Sequence, residues 1–237
     1  MNHPVFLALD FSDWQETKQF LNDNKLHGVP VKVGMELYYR EGPLIIEKLK
    51  ENNHPVFLDL KLHDIPTTVM RTMENLARLE VDIVNVHALG GSEMIKRAKE
   101  GLLKASGNHE VKLIAVTILT SMDERTMNEE ILLPGSLGEN AVHLASMAGN
   151  SGADGVVCSV YEAMPIKQKC GTGFLTVTPG IRLEKTDQHD QKRIATPAFA
   201  RENGSDMLVI GRSITKSKHP HESYLQAIKE WRNGLKT

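Results

Sequence analysis

The feature that most constrains this chain is a regular alternation of two kinds of segment. Short, β-rich apolar runs occur at Val5–Leu9, Val29–Val33, Val56–Leu60, Ile83–His87, Lys112–Leu119, Gly155–Ser159, Phe174–Thr178 and Met207–Gly211. Longer stretches with helical spacing follow, among them Trp14–Leu21, Leu44–Leu49, Val69–Leu79, Met94–Leu103, Ala141–Ala148, Gln191–Ala200 and Tyr224–Trp231. Repeated strand–helix units build a parallel sheet through right-handed crossovers. Nearly continuous apolar strands are buried on both faces, and eight of them favour closure over an open sheet. A dinucleotide-binding open sheet would place Gly-x-Gly-x-x-Gly after the first strand, where this chain has Asp10-Phe11-Ser12. The expectation is an α/β fold: a single (β/α)₈ TIM barrel, with residues 1–237 forming one domain.

Composition narrows the class. Only 5% of residues are aromatic, so the core rests on Val, Ile, Leu, Ala and Met, the side chains that fill barrel interiors. Met35, Met70, Met73, Met122 and Met127 read as packing residues. A net charge of −2 without a Lys/Arg-dense run excludes a general nucleic-acid binder. No apolar run reaches the roughly 18 residues of a membrane span, and the start Met1-Asn2-His3-Pro4 lacks a signal-peptide pattern. Cys158 and Cys170 are the only cysteines and lack Cys-x-x-Cys spacing, which fits a reducing cytoplasm. Cys158 reads as a buried packing residue.

Polar residues gather where the strands end: Asp10, Lys32, Asp59, Lys61, His87, Thr120, Ser121, Arg182 and Arg212. The carboxyl ends of barrel strands build the active site, so these distant residues should converge. In the segment Asp59-Leu60-Lys61-Leu62-His63-Asp64-Ile65-Pro66-Thr67-Thr68, strand alternation sends Asp59 and Lys61 to one face, roughly 6–7 Å apart. With Lys32 and Asp64 they would form a Lys–Asp–Lys–Asp cluster, whose charges must pair inside a closed site. Thr178-Pro179-Gly180-Ile181-Arg182 and Ile210-Gly211-Arg212-Ser213 end the seventh and eighth strands, the usual phosphate-gripping place in barrels. Gly180 and Gly211 let backbone N–H groups approach an anion, and the arginines supply forked contacts.

Other segments read more quietly. His87 has no carboxylate or second His at metal-ligand spacing, so a structural hydrogen bond is expected of it. His219-Pro220-His221-Glu222 reads as a helix start rather than a metal site. Asp123–Gly138 is the longest irregular stretch and is expected to hold a short extra helix. Leu183–Asp190 follows the seventh strand, where mobile lids occur.

On these residues the chain resembles the bacterial type of the orotidine 5′-phosphate decarboxylase family, in the ribulose-phosphate-binding barrel superfamily. The resemblance covers essentially the whole chain, through Leu7-Ala8-Leu9-Asp10, Val31-Lys32-Val33-Gly34, Phe57 to Pro66, Leu119-Thr120-Ser121-Met122, Thr178 to Arg182 and Ile210-Gly211-Arg212. It implies decarboxylation of orotidine 5′-monophosphate to uridine 5′-monophosphate with no metal and no cofactor. Lys61 is then the lysine that protonates C6, Asp59 the carboxylate facing the departing group, and Lys32 and Asp64 the rest of the charge network. Asp10 and Lys32 are implied ribose contacts and Thr120–Ser121 the pyrimidine-recognising pair. Arg182, Gln191, Gly211 and Arg212 are implied at the phosphate end, with Pro179 among the substrate contacts. The resemblance also sends Asp64, Ile65 and Thr68 into a partner's site, which implies a homodimer.

Two rival readings follow from the same residues. Magnesium-dependent sugar-phosphate decarboxylases or aldolases of this superfamily resemble the Asp-x-Lys-x-x-Asp block. The resemblance puts a glutamate at their second strand's end, where this chain has Lys32. A non-catalytic phosphate-binding module would have no use for the full charged set.

Overall fold

The computed structural model describes residues 3–183 and 195–234. Eight strands, β1 (Val5–Ala8), β2 (Val31–Gly34), β3 (Val56–Leu62), β4 (Ile83–His87), β5 (Lys112–Val116), β6 (Gly155–Val157), β7 (Leu175–Thr178) and β8 (Met207–Ile210), pair in sequence order. All pairs are parallel, and β8 returns to β1 with Phe6 opposite Val209, closing the barrel. This is the (β/α)₈ architecture that the alternation predicts.

Helices described around it are α1 (Trp14–Asp23), α2 (Met35–Glu41), α3 (Leu44–Glu51), α4 (Pro66–Ala77), α5 (Gly91–Ala105), α6 (Leu137–Asn150), α7 (Val160–Cys170), α8 (Pro197–Glu202), α9 (Arg212–Thr215) and α10 (Pro220–Asn233). Their starts have local causes. The Asp13 side chain accepts from Glu16 N–H at the head of α1, Ser136 and Glu139 form a capping box on α6, and Pro opens α4, α8 and α10. The histidine-rich tail segment is therefore a helix start, as read. The irregular stretch after β5 does hold a short extra helix, a π-turn over Thr126–Glu130.

The core has two parts, as strands buried on both faces require. Phe6, Ala8, Phe57, Ile83, Ile114, Val177, Met207 and Val209 form one buried cluster, with Phe6 and Phe57 edge to face at 6.1 Å. A larger cluster joins the other faces of the strands to the helices. Helices α4 and α5 approach closely at Gly101, where a side chain's first carbon would come within 2.2 Å of the Met70 carbonyl oxygen.

Several boundaries differ from the sequence reading. β2 starts at Val31 because Pro30 has no N–H for the ladder. β5 stops at Val116, since the Thr117 hydroxyl and N–H both donate to Val157 O. Ser159 belongs to a capping box with Glu162 rather than to β6. Helix α7 escapes a simple periodicity reading because Pro165 lies inside it. Met70, Met73 and Met127 are buried, whereas Met35 is 45% exposed and is not a packing residue. Cys158 is fully buried.

Candidate active site

Adjacent strands β1, β2 and β3 set the first wall of the site. Their registers place Ala8 beside Lys32, Lys32 beside Phe57, and Gly34 beside Asp59. Lys32 therefore rises from the layer below Asp59, and its Nζ lies 3.3 Å from Asp59 Oδ2 and 3.1 Å from Asp10 Oδ1. Lys61 Nζ lies 2.6 Å from the other oxygen, Asp59 Oδ1. The result is an alternating row, Asp10–Lys32–Asp59–Lys61. A side chain at position 34 would come within 3.1 Å of Lys32 Nζ, so glycine there leaves room for the ammonium.

Lys32 and Asp59 are 8% and 9% exposed, deep enough that an isolated charge would be severely penalised. The row resolves this by mutual pairing. Burial pushes the Asp59 carboxyl up, but the Lys32 and Lys61 ammonium groups outweigh it and hold the group below the usual carboxylate range. Burial likewise pulls Lys32 down, and the charges of Asp59 and Asp10 more than restore it, leaving it above the ordinary lysine value. The two residues are held charged by each other.

Lys61 reaches Asp59 by a route that simple alternation does not describe. The β3–β4 register shifts between Leu58 and Leu62, and Lys61 takes a left-handed backbone with φ of 51°, a conformation costing a non-glycine residue about 1–2 kcal/mol. Asn85 fills the irregularity: its Nδ2 donates to Asp59 Oδ1 and its Oδ1 accepts from Lys61 N–H, both at 2.7 Å. The sequence reading passed over Asn85. Its signal is a lone amide within the apolar run Ile83-Val84-Asn85-Val86.

Beyond this row lies a cavity of about 260 Å³. Ala8, Phe57, Val116, Val157 and Val209 give it apolar walls, while Thr120, Pro179, Arg182, Gly211 and Arg212 bring polar groups from the ends of β5, β7 and β8. Gly180, also on its wall, adopts φ of 79°, which any side chain would strain. Arg182 is buried, with Nη1 donating to Ile181 O at 3.0 Å. One pocket thus presents two arginine cations and the alternating charged row on its lining.

Not every expected residue joins it. Asp64, Ile65, Thr68 and Ser121 are exposed and do not line the cavity. The chain leaves the barrel after Leu62 and enters α4 at Pro66, so Asp64 is carried to the rim, where its Oδ1 accepts from Ile65 N–H at 2.7 Å. Asp10 takes the second carboxylate's place in the row within this chain. Ser121 sits in a turn closed by Met122 N–H donating to Leu119 O. Gln191 and most of the expected lid, Leu183–Asp190, fall outside the described residues; Leu183 itself is buried.

His87 accepts the expected hydrogen bond, from Leu89 N–H at 3.3 Å. A second histidine is nevertheless close: His63 stacks on it with ring centres 5.6 Å apart. Burial, then His63 and Lys61, lower the His87 pKa. Among the described residues, no group of three or more His, Cys, Asp or Glu is placed to hold a metal.

With this geometry in hand, comparison with known proteins is decisive. The family model described as "Orotidine 5′-phosphate decarboxylase / HUMPS family" matches residues 3–227. The chain belongs to that family. A Bacillus pumilus protein named orotidine 5′-phosphate decarboxylase is 52% identical over 235 residues, covering 98% of this chain and all of the relative. One of the same name from Bacillus caldolyticus is 51% identical over 238 residues, covering 99% and 97%. The crystal structure of orotidine 5′-phosphate decarboxylase from Lactobacillus acidophilus superposes with a TM-score of 0.86 at 42% identity, covering 97% of this chain and 99% of that one. Family membership leaves the roles of individual side chains to be argued from their chemistry.

Proposed function

We propose that the chain, as one catalytic domain, decarboxylates orotidine 5′-monophosphate to uridine 5′-monophosphate and carbon dioxide, using its own side chains alone. The observation that carries this reading is the Asp10–Lys32–Asp59–Lys61 row in the same cavity as Arg182 and Arg212. Family and relatives supply the substrate.

The bond from C6 to the carboxyl carbon breaks, and its electron pair stays on an sp² ring carbon. The Lys61 ammonium stabilises that charge and transfers a proton to C6, after which water reprotonates the amine. Lys32 holds one Asp59 oxygen and Lys61 the other, so the carboxylate cannot rotate away from the substrate's own carboxylate. Two such charges about 4 Å apart, at an effective dielectric near 20, repel by about 4 kcal/mol. Enzymes commonly lower barriers by about 8–23 kcal/mol. Repulsion is therefore the minor contribution; carbanion stabilisation and binding energy from the phosphate supply the rest.

Asp10 and Lys32 are assigned to the ribose hydroxyls, Thr120 with Ser121 to the pyrimidine, and Pro179, Arg182, Gln191, Gly211 and Arg212 to the phosphate end. A homodimer completes the site: Asp64, Ile65 and Thr68 lie exposed on the rim beside it. Met35, Tyr39 and Leu89 add exposed apolar surface on the segments after β2 and β4. The two free cysteines support a cytoplasmic setting, and no helix among the described residues is long and apolar enough to cross a membrane.

The test is the absorbance change of orotidine 5′-monophosphate on adding protein in metal-free buffer. Turnover should persist with EDTA and vanish in Lys61→Ala. Loss of activity on adding EDTA would instead favour the magnesium-dependent sugar-phosphate enzymes of this superfamily.

A further inference from the structure

We infer that Asn85 is the positioning residue that sets the catalytic pair, holding the Lys61 backbone and the Asp59 carboxylate in register through one amide group. The inference rests on the reading of Lys61 and Asp59 given above and extends it to a residue that does not line the cavity.

The argument starts from the ladder. Between Leu58 and Leu62 on β3 there are four residue steps, whereas their partners Val84 and Val86 on β4 are two steps apart. The surplus must bulge, and a bulge leaves backbone groups without their ladder partners. The Lys61 N–H is one of these, and Asn85 Oδ1 accepts it at 2.7 Å. The same amide turns its Nδ2 toward Asp59 Oδ1, also at 2.7 Å. Asn85 is 1% exposed, so no water competes for either bond and neither group has an easy substitute.

Residue choice follows from this double duty. A primary amide donates from one end and accepts at the other, which the two targets require: a carboxylate that only accepts and an N–H that only donates. Aspartate would meet Lys61 N–H but set a second negative charge against Asp59. Alanine would abandon both groups in a dry site. Because the bulge holds Lys61 at φ of 51°, loss of its N–H partner allows the residue to relax toward ordinary strand geometry, which moves Nζ. Displacement by about 1 Å at a reacting group costs on the order of 10²-fold in rate.

A merely structural asparagine would affect stability and leave chemistry alone, so the test separates the two. Asn85→Ala and Asn85→Thr are assayed beside Lys61→Ala, with kcat and KM measured on orotidine 5′-monophosphate, uridine 5′-monophosphate affinity by calorimetry, and melting temperature. The expected result is kcat lower by about 10²-fold in both variants. KM and nucleotide affinity should stay within threefold, because the phosphate-end residues are untouched. The acid limb of kcat/KM also moves to higher pH, since Asp59 loses a donor that favours its charged form. The remaining charged groups in the row are Lys32 on β2, Lys61 on β3 and Asp10 after β1, with His87 at the end of β4 beside Lys61; all are the same in both variants. Native-like nucleotide affinity shows that a variant is folded, and Asn85→Thr, which suits a strand, supplies the measurement if Asn85→Ala does not fold. Either folded variant with kcat within threefold of wild type and an unmoved acid limb overturns the inference. Full activity in Lys61→Ala would overturn the underlying site reading instead, so the two failures are distinguishable.

Discussion

The two rims of the barrel use carboxylates in opposite ways. At the amino-terminal rim, Asp82, Asp154 and Asp206 precede β4, β6 and β8, and each accepts a backbone N–H from the strand before: Val56, Leu113 and Thr176, at 2.7 to 2.8 Å. Lys99 and Lys167 brace the second and third of these. Each of these three carboxylates is thereby tied to fixed backbone. At the carboxyl-terminal rim, Asp10, Lys32, Asp59 and Lys61 chiefly bond one another, and among the described residues Asn85 ties the row to the backbone. One rim spends charge on holding strands together; the other keeps it available to a ligand. This division matches the general separation of stability and catalysis between barrel faces.

The sharpest way to break the comparison is at Lys61, where the proposed proton donor sits on a left-handed backbone. Lys61→Gly and Lys61→Ala should both lower kcat by about 10⁴-fold or more, the upper range for a positioned proton donor. Their stabilities should differ in an unusual direction. Glycine ordinarily costs a strand about 0.5–1 kcal/mol relative to alanine, but at φ of 51° it relieves strain. Urea unfolding should therefore find Lys61→Gly more stable than Lys61→Ala by about 1 kcal/mol. An alanine variant more stable than the glycine variant would remove strain from the account of this rim.

The next effect asks whether the functional rim is complete within one chain. Asp64 stands outside the cavity of its own chain, and the proposed dimer gives it to the neighbour. Asp64→Ala and Lys61→Ala should each be nearly inactive alone. Mixed and allowed to exchange subunits, they should recover about a quarter of wild-type activity, because half of the dimers then carry one native site. Absence of recovery, with exchange verified by mass spectrometry, would confine each site to one chain.

The amino-terminal rim should respond through stability alone. Asp206→Ala removes the acceptor for Thr176 N–H and leaves Lys167, a largely buried lysine, without its carboxylate. A loss of about 2–3 kcal/mol is expected in urea unfolding, reduced from the fully buried case by the partial exposure of Asp206. Asp82→Ala should cost about 1 kcal/mol, because among the described residues no ion pair joins its bond to Val56 N–H. Both variants should keep kcat within twofold. A tenfold loss of kcat in a folded Asp206→Ala protein would show that the rims are coupled.

How much of this was legible in the sequence follows the same division. Strand order and closure were readable because burial on both faces leaves an apolar run that composition reveals directly. Lys32, Asp59, Lys61 and Arg182 were readable because a charge at the end of such a run has no packing reason to be there. The bulge was not, since two extra residues in β3 become visible only against β4. Asn85 was missed for the same reason: it acts 24 and 26 residues away, on Lys61 and Asp59. Spacing alone offers Asp64 to the charged cluster while the resemblance sends it to a partner; within its own chain Pro66 starts a helix and Asp64 stays exposed on the rim. Non-local bonding, rather than propensity, separates what the pattern shows from what it hides.

The smallest effect concerns acid, and it tests whether pairing or burial governs the functional rim. Asp59 is held below the usual carboxylate value by Lys32 and Lys61 despite its burial. A depressed folded pKa stabilises the protein fully above the unfolded value of about 3.9, and that contribution is lost as pH falls through the folded value. The stability difference between wild type and Asp59→Asn should therefore stay constant from pH 7 to about pH 5 and change only below about pH 4. Replacing Lys32 by methionine reverses the balance, since burial then acts on Asp59 with one cation fewer. In that background the difference should begin to change at higher pH than in the native one. Should the native protein already show the change between pH 7 and pH 5, burial would prevail over the two ammonium groups, and Asp59 could not remain a charged partner to Lys61 across that range.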